Sequence, residues 1–141
     1  MTRAKNLRER MGQSRLVHIM AAHSPLSARL AQEAGFDGVW TSGFELSALH
    51  GLPDVSLVSM TQHLEATRAI AQHCALPIVA DIDTGFGNAI NVIHAIEQYE
   101  RAGAAAVAIE DNVDKDIVSV EEIFRLQGMD RVKADEARFL R

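Results

Sequence analysis

Short apolar runs alternate along this chain with longer stretches of helical period. Leu16-Val17-His18-Ile19-Met20, Gly38-Val39-Trp40-Thr41, residues 78–81 and residues 105–110 are brief and mostly apolar, as buried strands are. Between them the spacing changes. Residues 4–11 read as a short charged lead-in helix. Ser24-Pro25 predicts a helix start, with serine as N-cap and proline in the first helical position. That helix runs through Leu26, Leu30 and Ala34, and Gly35 ends it. Residues 59–73 form a long amphipathic pattern with Met60, Leu64 and Ala71 inward and Thr67 on the same face. Residues 89–101 place Ile90, Ile93, Ile96 and Tyr99 at a spacing that predicts one inward face. One internal echo supports a repeat: Glu33-Ala34-Gly35-Phe36-Asp37-Gly38-Val39-Trp40 resembles Arg101-Ala102-Gly103-Ala104-Ala105-Ala106-Val107-Ala108. Repeated βα units with short strands predict a parallel sheet, because parallel neighbours need helical crossovers. Four such units make an α/β fold equal to the first half of a (βα)8 TIM-type barrel.

Composition narrows the function classes. A chain of 141 residues fits one domain and could bury roughly 70% of its unfolded surface in a complete core. Its net charge of −5 argues against nucleic-acid and anionic-membrane surfaces, which need clustered Lys and Arg. No apolar run approaches the roughly 20 residues of a membrane span. Met1-Thr2-Arg3-Ala4-Lys5-Asn6-Leu7-Arg8 lacks the apolar centre of a signal peptide. The single Cys74 cannot form an internal disulfide and reads as a packing residue near a helix end. Together these features predict a cytoplasmic protein.

The chemistry concentrates in Ala80-Asp81-Ile82-Asp83-Thr84-Gly85-Phe86-Gly87-Asn88, a strand-to-helix turn. Strand side chains alternate faces, so Asp81 and Asp83 should leave the sheet on one side at its C-terminal edge, with Ile82 opposite. Parallel α/β folds place their chemistry at that edge. Two like charges so close are costly without a cation between them, and an all-oxygen ligand set suits Mg²⁺ or Mn²⁺. The bland alternative is a solvated strand end followed by a helix cap. Gly85 and Gly87 let backbone pass close to a ligand, but the third glycine of a dinucleotide fingerprint would fall at Ile90, so that signature fails.

Three further features point at the same edge. Ser42-Gly43 directly follows a strand and leads into a short helix, so its amides could face an anion. Asp54, beside Pro53, is either a turn residue or another carboxylate aimed at the edge. Glu110 ends the fourth strand, so three acids would come from two neighbouring strand ends; Asp111, on the opposite face, reads as a loop cap. The six histidines show no metal-ligand spacing and read as structural or surface residues, and Trp40 reads as core.

With these residues in place, the chain resembles the phosphoenolpyruvate mutase/isocitrate lyase superfamily. The likeness is carried by Trp40-Thr41-Ser42-Gly43-Phe44-Glu45-Leu46-Ser47-Ala48, Pro53-Asp54, the 80–88 turn, Tyr99-Glu100-Arg101-Ala102-Gly103 and Ile109-Glu110-Asp111. Within that family it looks most like the branch that hydrolyses phosphonopyruvate to pyruvate and phosphate. The mutase and the 2-methylisocitrate lyase-like branches share the acids. The resemblance implies that Asp81, Asp83 and Glu110 surround the metal directly or through water, with Asp54 nearby and Asp54 and Asp81 in the catalytic role. It implies that Ser42, Gly43 and Phe44 hold a small 2-oxo acid or phosphonate substrate. It covers residues 1–113. Family members have about twice this length, as a (βα)8 barrel of roughly 250 residues requires. After Val113 the sequence passes to 114–141, a helical segment resembling the family's C-terminus and suited to packing on a neighbouring subunit in a homo-oligomer. The second half of the barrel, with the family's lysine gate loop and anion-clamping arginine and histidine, is expected to be missing. A chain so shortened is expected to be an impaired enzyme or a non-catalytic remnant.

Overall fold

The computed structural model describes residues 2–13 and 16–110. Asp111 and the C-terminal segment 114–141 named above lie outside the described residues. Within them the chain runs α1 (Arg3–Met11), β1 (Ile19–Ala22), α2 (Pro25–Glu33), β2 (Gly38–Thr41), α3 (Gly43–Leu49), α4 (Met60–His73), β3 (Ile78–Asp81), α5 (Ala89–Ala102) and β4 (Ala106–Ala108). The four strands form one parallel sheet in chain order, β1-β2-β3-β4. This is the α/β class expected, in the order of the first four strands of a (βα)8 barrel.

Local chemistry fixes most boundaries. Ser24 and Ser27 form a reciprocal cap with Pro25 at the first turn, so α2 begins where its sequence says. Gly35 follows that helix at φ +84°, a conformation that favours glycine. Strand β1 begins later than residues 16–20 suggest. The loop before it is tied to Asp37, whose Oδ2 accepts the His18 N–H at 3.1 Å. Pairing therefore starts with Ile19 opposite Gly38 and extends through Ala22, a residue of low strand propensity that is fully buried against α2. β4 is shorter than residues 105–110, although Ile82 still donates to the Ala108 carbonyl at 3.0 Å beyond the strand end proper.

Packing above the sheet forms two clusters. Val39, Ile78, Ile70 and Ala28 centre one, and Ala80, Ile82, Leu64 and Tyr99 the other. Cys74 belongs to the first, buried and packed as expected. Helix α4 lies between α2 and α5 and burial on it includes Leu64 and Thr67, as its period predicts, and also His63 and Ile70. The face expected for α5 is wrong except at Tyr99. Ile90, Ile93 and Ile96 are 77%, 62% and 42% exposed, while Ala95, Tyr99 and Ala102 are buried. Small residues let α5 approach the sheet closely, and Tyr99 fills the space that remains. Trp40 is half-buried and stands one residue from buried Val39, so it projects from the other sheet face.

Arg3 locks the lead-in helix onto this frame. Its guanidinium donates to the carbonyls of Ala71 (2.6 Å) and Cys74 (2.7 Å) at the end of α4, and to Gly103 (3.5 Å) at the end of α5. These are carbonyls a helix end leaves without partners, and a cation suits the negative end of the helix dipole.

Candidate functional site

The site is built at the C-terminal end of β3. Ala80 and Ile82 are fully buried on the helix side, so Asp81 between them emerges on the opposite face, half-buried. The strand stops there. Asp83 turns to φ 46°, Phe86 to 60°, and Gly85 and Gly87 to 88° and 146°, so the backbone is left-handed at four of five positions. Only Ser56, Asp83 and Phe86 combine a side chain with positive φ among the described residues, and Ser56 hydrogen-bonds to Asp83. Such strain persists where surroundings enforce it, and it gathers at functional sites. Asn88 closes the turn. Its Oδ1 accepts the amides of Ile90 and Asn91, while Asn91 Oδ1 accepts the Asn88 N–H at 2.9 Å.

The first turn of α3 faces this one across the edge. Ser42 caps α3, its Oγ accepting the Glu45 N–H at 3.2 Å. The Gly43 N–H donates to Asp81 Oδ2 at 3.2 Å, and Asp81 Oδ1 accepts the Asp83 N–H at the same distance. Gly43 also marks the point of convergence. A Cβ there would lie 2.9 Å from Asp83 Oδ1, 3.4 Å from Asp81 Oδ2 and 3.7 Å from Asp54 Oδ1. Three carboxylates thus meet about one small volume, kept open because residue 43 has no side chain. Asp54 stands in a turn at residues 54–56 and also brings a carboxylate oxygen to this edge, so the two readings do not exclude each other. Glu110 is exposed, donates its N–H to the Asp83 carbonyl at 2.8 Å, and adds its charge to the field on Asp83. Phe44, next to Gly43, is largely exposed.

Electrostatics agree with this crowding. Burial, and then the neighbouring Asp81 charge, push the Asp83 carboxyl above the ordinary carboxylate range. Below the turn lies a histidine that the sequence leaves as structural or surface. His63 is 1% exposed, wedged against Phe86 and Tyr99 with ring centroids 6.4 and 6.0 Å away. Burial lowers its pKa, against the pull of Asp83 and Asp81. The available signal was position: His63 falls three residues after Met60 and four before Thr67, on the inward stripe of α4. His23, by contrast, pairs its Nδ1 with Glu45 Oε2 at 3.1 Å, between the end of β1 and α3.

The donors suit a hard divalent cation by chemistry, all being carboxylate oxygens in a negative field. As they stand, no three His, Cys, Asp or Glu side chains among the described residues close into a ready ligand set.

Comparison with known proteins identifies the family. The family model described as phosphoenolpyruvate phosphomutase matches residues 7–139. Phosphonopyruvate hydrolase of Variovorax sp. (strain Pal2) is 54% identical over 111 residues, covering 79% of this chain and 38% of that protein. 2,3-Dimethylmalate lyase of Eubacterium barkeri is 38% identical over 133 residues, covering 87% of this chain and 46% of its own length. A crystal structure of phosphonopyruvate hydrolase in complex with oxalate and Mg²⁺ superposes with TM-score 0.79 at 51% identity, over 86% of this chain and 44% of that one. The chain therefore spans less than half the length of these relatives. With its parallel βα order, its acidic strand-end turn and these matches, the chain belongs to the phosphoenolpyruvate phosphomutase family.

Proposed function

We propose that this chain carries the cation-binding half of a phosphonopyruvate hydrolase-like site, taking Mg²⁺ and a small 2-oxo acid phosphonate. The observation that carries the reading is the meeting of Asp54, Asp81 and Asp83 around Gly43. Asp81 and Asp83 would hold the ion directly or through water, with Glu110 adding charge from the next strand. Mg²⁺, when bound, would supply an electrophile for the carboxylate and carbonyl of the 2-oxo acid, easing departure of the electron pair from the carbon–phosphorus bond. Asp54 would accept a proton from the water that joins phosphorus and return one to C3 of the enolate left by the broken bond, so that pyruvate and phosphate leave. The Gly43 amide, committed to Asp81 here, would turn to the substrate's anionic end when the cation takes Asp81, with the Ser42 and Phe44 backbone beside it.

The likeness to 2,3-dimethylmalate lyase favours a second reading, carbon–carbon cleavage of a related acid on the same carboxylates. Product analysis separates the two. The direct experiment is pyruvate release from phosphonopyruvate with Mg²⁺. Turnover abolished in Asp81→Ala is the expected outcome; a wild-type chain that binds Mg²⁺ without turnover would leave a cation-binding remnant, and one that takes up no cation would end the proposal.

A further inference from the structure

Among the described residues, three buried side-chain polar atoms have no hydrogen-bond partner: Nδ1 and Nε2 of His63 and Oη of Tyr99. They belong to neighbouring rings. His63, Phe86 and Tyr99 form a near-equilateral triangle, with centroid separations of 6.4, 6.0 and 6.4 Å, Phe86 stacked on Tyr99 and His63 edge-on to both. Phe86 belongs to the left-handed turn that follows Asp83, so the triangle is the floor of the acidic site. The backbone of His63 is satisfied, its carbonyl accepting from Thr67 Oγ1 at 3.0 Å; the ring alone lacks partners. An imidazole and a phenol kept dry and unpaired at one point are costly, and an apolar pair of the same shape would be better tolerated. Enclosed polar atoms without a protein partner are ordinarily satisfied by an internal water. His63 reaches the turn that carries Asp83 through its edge-on contact with Phe86, which shares that left-handed backbone.

We propose that His63 and Tyr99 hold an enclosed water beneath the β3–α5 turn, and that this water makes His63 a positioning residue for Asp83. Only the effect on cation affinity rests on the metal reading given above. The water supplies the hydrogen bonds that ring packing cannot, and by fixing the His63 ring against Phe86 it steadies the left-handed turn that carries Asp83. Groups lying behind the direct ligands commonly change metal affinity by an order of magnitude or more.

Two measurements on the full chain test this. Imidazole ¹⁵N spectra should show His63 in one tautomer with one hydrogen-bonded, slowly exchanging N–H; rapid averaging of the tautomers would overturn the water site. Calorimetric titration with Mn²⁺ should show about tenfold weaker uptake by His63→Phe. Unchanged affinity in that variant would overturn the positioning role. Should His63→Phe fail to fold, Tyr99→Phe removes one partner of the water and must weaken Mn²⁺ in the same direction, or the role is lost. A wild-type chain that takes up no Mn²⁺ would remove the proposed function, and the ¹⁵N spectrum alone would then decide the water site.

Discussion

Helices α4 and α5 are both fourteen residues long, both start in a reciprocal side-chain cap, and both carry an apolar stripe. One obeys its stripe and the other does not. Helix α4, packed between α2 and α5, buries Leu64, Thr67 and Ile70. Helix α5 turns Ala95, Tyr99 and Ala102 inward and leaves its isoleucines exposed. The difference lies in what each helix meets. A helix in a βα repeat has two kinds of apolar neighbour, the sheet beneath and the helices beside it. Large side chains suit contact with a neighbouring helix, whereas small ones permit close approach to a sheet. Periodicity shows that an apolar face exists without saying which neighbour it serves.

The sharpest way to break this comparison is to truncate the two faces of α5 separately. Tyr99→Ala removes a fully buried ring that touches both His63 and Phe86. Urea unfolding should show a loss of about 3 to 5 kcal/mol, the usual range for a buried aromatic replaced by alanine. A loss under about 1 kcal/mol would mean that Tyr99 is not the inward anchor of α5.

Next in size is the turn between the two helices. Gly85 sits at φ 88°, and a Cβ there would run into Val92 and approach Ile109 Cδ1 to 3.0 Å. Gly85→Ala should cost about 1 to 3 kcal/mol, from the left-handed conformation and from displacement of a packed side chain. Because Asp83 is two residues away, Mn²⁺ affinity should fall as well. Stability lost with affinity intact would separate the turn from the acidic cluster.

These two positions show how much was legible. Ser24-Pro25 and the Gly35 stop declare themselves because cap chemistry is local. The Asp81–Asp83 turn is legible for the same reason, since strand alternation and paired glycines act over a few residues. The convergence of Asp54 on Gly43 is a long-range fact: the sequence left Asp54 between a turn role and a carboxylate at the edge, and the chain puts it in a turn whose carboxylate reaches that edge. His63 was hidden by residue type. Its stripe position was readable, but it was grouped with the other histidines as structural or surface, and burial decides for the structural reading. The α5 face was hidden because the partners of its isoleucines are not encoded within the helix.

Smaller effects come from protonation, and here the floor of the site and its rim act in opposite senses. Burial and Asp81 raise the Asp83 pKa above the usual 3.8, so the folded chain holds that proton more tightly than the unfolded chain. In the absence of divalent cation, this contribution is present at low pH and disappears as pH rises through the raised value. Burial lowers the His63 pKa below the usual 6.5, so its contribution is present above that value and is lost as pH falls through the lowered one. Urea midpoints followed across this range should lose the Asp83 arm in Asp83→Asn and keep the His63 arm. An unchanged profile would show that Asp83 is not crowded by its neighbours.

The smallest expected effect is the most direct check on the opening contrast. Ile93 is 62% exposed on α5 and belongs to neither core cluster. Were its periodic stripe the inward face, Ile93→Ser would remove a core side chain and cost several kcal/mol, as large-to-small core changes do. With Ala95, Tyr99 and Ala102 inward instead, Ile93→Ser should shift stability at low protein concentration by less than about 0.5 kcal/mol, the range of ordinary surface changes. A dependence of that shift on concentration would add a distinct result. It would mean that the isoleucine row is covered by a second copy of the chain, and the variant would then lower the assembly state more than the stability of the fold.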